Sequence, residues 1–119
     1  MYLALSLMAA GGIIVAVIGW LGIRGLLPPN HLAGIRTPYT MSSREAWYAT
    51  HRAGGPVLLA TGAIVLLGAV VAITLVALLG LAGLTASVLP AALAIVLVAG
   101  AITSWLVGTR RARRQLGGR

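Results

Sequence analysis

Three uncharged apolar stretches, each long enough to cross a bilayer, leave this chain few ways to fold. They run from about Leu3 to Ile23, Val57 to Leu79 and Thr85 to Val107, and about 20 helical residues, rising 1.5 Å each, cross a hydrocarbon core. The first has no basic residue before it and is longer than the apolar part of a signal peptide, so it reads as a span. Pro56 suits the first turn of the second helix, where its missing N–H has no intrahelical partner. Pro90 falls early in the third, where a local kink is expected rather than a break. Composition agrees: 60% of the 119 residues are hydrophobic and only 8% charged, far from the balance of a soluble domain. The expectation is an all-α membrane protein in one unit, with three transmembrane helices, a loop over 24–55 and a tail over 108–119.

The arginines orient it. Arg24, Arg36, Arg44 and Arg52 with the single acid, Glu45, give the loop a net charge of +3, and the five arginines after the third span give the tail +5, together the whole +8 of the chain. Basic residues in short loops stay on the cytoplasmic side. Three spans put loop and tail on one face, so the N-terminus is expected outside and the C-terminus in the cytoplasm. An isoelectric point near 11.9 would suggest nucleic acid for a soluble chain. Here Arg110, Arg111, Arg113 and Arg114 directly follow a span without interleaved aromatics, so anionic lipid headgroups are the expected partner and nucleic acid is not.

Within the spans no side chain is ionisable, which argues against a proton relay, ion pathway or voltage sensor built from one copy. Small residues do recur at four-residue spacing: Gly12 and Ala16, Gly68 and Ala72, and the run Gly100, Ser104, Gly108. Such spacing lets helix backbones approach closely. Packing within the chain is one reading. The third helix, with three small residues in register, is also the preferred contact surface for another copy or another membrane protein.

Sequence complexity concentrates between Arg24 and Gly55, which is too long for a plain connector. Pro28, Pro29 and Asn30 stop the first helix, and Thr37-Pro38 favours an extended or turn conformation. Ser42-Ser43-Arg44-Glu45 reads as a capping box, Ser42 bonding the backbone of Glu45 and the Glu45 carboxylate reaching back. A short helix over about 43–53 is expected to lie along the inner surface, its Trp47, Tyr48, Arg44, His51 and Arg52 suiting the headgroup layer. Gly54-Gly55-Pro56 would end it. Glu45 either only caps this helix or also pairs with Arg36 or Arg52, where scarce water strengthens a bidentate contact.

Asn30, Gly34-Ile35-Arg36-Thr37-Pro38-Tyr39-Thr40, Ser42-Ser43, Glu45-Ala46-Trp47, His51-Arg52 and Gly54-Gly55 together resemble the signature of the SdpI family of small bacterial membrane proteins. Tyr39 stands where many relatives have tryptophan. The resemblance implies a membrane protein that acts by binding. One member confers immunity to a secreted peptide toxin and signals its presence by holding a transcriptional repressor at the membrane, in a longer chain with additional spans. Carried to this sequence, that implies recognition of a peptide toxin and of a cytoplasmic regulator, with Arg36, Glu45, Trp47, His51 and Arg52 as a binding surface for protein or lipid phosphate. The other reading of those residues is that they only fold the loop onto the helix ends.

Catalysis has little to stand on. One glutamate and two histidines 20 positions apart provide neither a pair of carboxylates nor a full set of metal ligands. Cysteine is absent, and no glycine-rich phosphate loop is present. No enzyme activity, cofactor or metal is expected. A structural accessory subunit of a larger membrane complex is the alternative to immunity or signalling.

Overall fold

The computed structural model describes residues 2–81 and 83–117, with backbone alone for 84–86. Three helices carry the fold: α1 (Tyr2–Ile23), α2 (Arg44–Leu79) and α3 (Leu84–Gln115), with one 3₁₀ turn at Thr40–Ser42 between the first two. All three are long and apolar enough to cross a membrane, and no strand occurs among the described residues. The chain is a multi-pass helical membrane protein.

α1 stops earlier than the prolines require. Gly25 takes φ +68°, and the Gly25 and Leu26 N–H groups turn back to the Gly22 and Leu21 carbonyls at 3.2 and 2.9 Å, the paired bonds that close a helix through a left-handed glycine. At the other end of the bundle Gly80, also left-handed, donates to Val76 C=O and ends α2.

The separate surface helix expected over 43–53 is not formed. Arg44–Leu79 is a single helix of 36 residues with Pro56 inside it, about 54 Å long at 1.5 Å per residue and equal to the long dimension of the molecule, 54 Å. Gly54 and Gly55 do not end a helix; they admit its neighbours. A Cβ on Gly55 would stand 2.7 Å from Gly19 C=O, and one on Gly54 2.7 Å from Ser104 C=O. Proline in a helix costs about 3 kcal/mol and deprives the carbonyl four residues earlier of its donor, here Arg52. Packing on both flanks of Gly54-Gly55 outweighs that cost. The third helix also runs on beyond the expected boundary at Val107, so Arg110, Arg111, Arg113 and Arg114 lie on its last turns and not on a tail.

α2 is the centre, with α1 and α3 antiparallel to it on adjacent stripes. On the α1 side Gly12 abuts Gly62 and Leu66, Gly19 abuts Gly55 and Leu59, and Gly22 abuts the His51 backbone. Gly12 and Gly19, like Gly55 and Gly62, are seven residues apart, so the same face of each helix returns after two turns and the seam closes tightly. On the α3 side Gly108 meets Thr50, Gly100 meets Thr61, and the Ser104 hydroxyl donates to Gly54 C=O at 2.8 Å. The run Gly100, Ser104, Gly108 thus serves packing within the chain. At the far end Leu5, Ala72 and Val76 bury one another, with Leu89 and Leu93 against them.

Candidate functional site

The connection from Arg24 to Ser43 returns along α2 instead of lying flat. Its apex, Gly34-Ile35, reaches back between α1 and α3, where Gly34, Ile35 and Thr37 border a cavity otherwise walled by Val15, Ile18, Leu58, Ala101 and Trp105. An irregular backbone packed among spanning helices needs a partner for every polar group, and the signature residues supply them. The Asn30 side chain accepts from the Leu32 and Ala33 N–H groups at 2.8 and 2.7 Å and donates to Pro28 C=O. Trp47 Nε1–H donates to Leu27 C=O at 2.8 Å. Thr40, fully buried, donates its hydroxyl to Ile35 C=O and accepts from Thr37 N–H, both at 2.8 Å.

His51 completes the set. Its Nε2 accepts from Ile35 N–H at 2.8 Å, while Nδ1 lies 2.7 Å from Trp47 C=O. An acceptor at Nε2 together with a carbonyl at Nδ1 assigns the neutral ring with its proton on Nδ1. The Trp47 and His51 rings stack at 4.2 Å between centroids, tilted by 34°, and both side chains are buried. Gly34 leaves them room: its φ is +111°, and a Cβ there would stand 2.6 Å from His51 Nε2.

Exposed residues form the rest. Arg36 donates to His31 C=O. The Arg52 guanidinium lies against Gly25, at the end of α1 where the helix dipole is negative and a cation is favoured. Glu45 is exposed in the first turn of α2, where the opposite pole favours a carboxylate. Its expected capping box is not formed: Ser43, not Ser42, is the N-cap and accepts from Ala46 N–H at 3.0 Å, while Ser42 bonds Tyr39 C=O. The sequence offered two adjacent serines, and the 3₁₀ turn takes the first. Arg113 sits over the Tyr39 ring at 4.2 Å and ties the end of α3 to the loop, so of the four α3 arginines this one has a partner inside the chain.

Of the residues expected to form one binding surface, the structure separates two kinds. Trp47 and His51 are framework, facing inward; Arg36, Glu45 and Arg52 are rim, facing out. Thr40 and Gly34 carry as much of the framework as either ring, although nothing local distinguishes Thr40 from the threonines beside it. Since α1 ends, α2 begins and α3 ends at the same end of the bundle, eight arginines from 24 to 114 share it. Among the described residues no three His, Cys, Asp or Glu side chains converge as metal ligands.

Fold and site define a class: a small three-span helical membrane protein whose first connection is folded back and pinned to the central helix by a buried Trp–His pair. The model of the SdpI/YfhL protein family matches residues 26–109, which contain the loop from Leu26 onward, α2, and α3 up to the residue before its arginines. The chain belongs to that family. Comparison with curated proteins and with solved structures gives no match to either.

Proposed function

We propose that this protein acts by binding in a bacterial cytoplasmic membrane, in peptide-toxin immunity or membrane signalling, with its N-terminus outside and its arginine-rich end in the cytoplasm. The observation that carries this reading is the division of the signature. Its buried half, Asn30, Thr40, Trp47 and His51, is spent on the backbone of the loop, while Arg36 of the loop and Arg44, Glu45 and Arg52 of α2 are exposed, as is Leu32 of the loop at 92%. A folded-back loop that exposes both a leucine and an arginine suits a contact surface, since a partner that covers it gains apolar burial and charge complementarity together. Family membership supports the same reading.

Expression of the protein in a bacterium sensitive to secreted peptide toxins tests it. Survival is expected to rise, and Arg36→Ala is expected to remove the protection with the protein still present in membranes at the parental level. Absence of protection against every candidate toxin sinks the immunity reading. An accessory-subunit role is the alternative, favoured by the outward face of α3, where Ile95, Val98 and Ile102 are exposed. It requires stoichiometric copurification with one larger complex in mild detergent.

A further inference from the structure

The apex of the loop hangs on one hydrogen bond to a helix, and its acceptor can be titrated. Among the described residues, the hydrogen bonds made by residues 28–40 all stay within 28–42 but for one. The exception is Ile35 N–H on His51 Nε2, at 2.8 Å. A proton on Nε2 would make that nitrogen a donor facing a donor, and Ile35 N–H would lose its partner. The other two contacts of the ring survive a charge. Nδ1–H still meets Trp47 C=O, and the stack on the indole, 4.2 Å between centroids, becomes cation–π. Both belong to α2, so the histidine stays and the loop is what leaves.

The neighbours of His51 offer a charged ring no compensation. Gly22 of α1 meets its backbone and Cβ, and Gly34 and Ile35 of the loop meet its Nε2. The charged side chains of the surrounding elements are exposed and occupied elsewhere: Arg24 over Trp20, Arg36 on His31 C=O, Arg44 over Tyr48, Arg52 against Gly25 and Arg113 over Tyr39. Glu45, the single acid, is exposed in the first turn of α2, and His31 is exposed in the loop. We propose that protonation of His51 releases the loop apex from α2, making it a pH-operated strap over the end of the cavity that Gly34, Ile35 and Thr37 border. The strap stays attached on either side, at Leu27 by Trp47 and at Tyr39 under Arg113. This device uses the buried half of the signature and stands without a toxin or a regulator.

The closed loop leaves Nε2 no place for a proton and the open loop accepts one, so closure is complete above the range of a free imidazole and is lost as pH falls through it. The amide that moves reports this directly. Hydrogen exchange of Ile35 is measured on the full chain in mild detergent and corrected for the intrinsic dependence of exchange on pH. One proton taken up per opening is expected to lower the protection of Ile35 about tenfold between pH of roughly 7.5 and 5.5, with Val65, fully buried in α2, unchanged. His51→Gln, whose side-chain oxygen accepts without titrating, is expected to abolish the dependence. His31→Gln removes the other imidazole and is expected to keep it. Flat protection in the parent overturns the proposal, as does a slope that persists in His51→Gln or vanishes in His31→Gln. A fall shared by Val65 also overturns it, because the bundle and not the strap would then be opening. Should His51→Gln fail to fold, the parent and His31→Gln still decide.

Discussion

Gly34 and the Trp47–His51 pair depend on one another at the scale of single atoms. The glycine supplies both a backbone angle that L side chains rarely adopt and the space that His51 Nε2 occupies in reaching Ile35 N–H. Alanine there would be strained and would collide with the imidazole. Loss of the loop apex from its seat is expected, visible as new protease cleavage within 28–40. Trp47→Phe retains most of the buried ring but removes the donor to Leu27 C=O. A buried carbonyl left without a partner costs about 1–3 kcal/mol, so the unfolding midpoint in detergent is expected to drop while the protein still folds. An unchanged midpoint would mean that water reaches Leu27 and that the indole N–H is not needed.

At the scale of elements, the informative feature is that α2 runs unbroken through Gly54-Gly55-Pro56. Two glycines before a proline commonly end a helix, and the two glycines here sit where both flanking helices press against α2 while Pro56 is exposed. The two roles predict opposite outcomes. If the glycines serve close approach, Gly55→Leu forces α1 away and costs on the order of 1–3 kcal/mol, as overpacking does. Pro56→Ala, at an exposed position, would restore a donor to Arg52 C=O and is expected to raise the midpoint. A hinge would respond the other way, tolerating leucine and showing no gain from alanine. Thermal unfolding of both variants in one detergent decides it.

For the whole molecule, the topology gathers the described arginines at one end and leaves the turn after α2 without charge. Basic residues tend to be retained in the cytoplasm, and the proposed orientation puts this end there. The chain has no cysteine, which makes single-cysteine labelling clean. Gly80→Cys is expected to react with a membrane-impermeant maleimide in intact cells, and Leu32→Cys and Gln115→Cys only after permeabilisation. The reverse pattern would invert the protein and place its arginine rim outside.

That the chain forms three helices long and apolar enough to span, and that the arginines share one end, was legible in the chain itself, because hydrocarbon solvent imposes a length and a charge rule that each segment obeys alone. So was the stretch that folds into the candidate site, through its density of polar and turn residues. Where contacts between distant segments compete with local preference, only the tertiary structure decided. Local signals ended a helix at Gly54 because they contain nothing about Gly19 or Ser104, and the seven-residue spacing of Gly12, Gly19, Gly55 and Gly62 has meaning only once two helices face each other. Trp47 and His51 suited a surface as amphipathic aromatics. They are buried because a loop 16 to 20 residues earlier presents them with backbone groups that have no other partner, and satisfying those groups is worth more than leaving the rings at the interface.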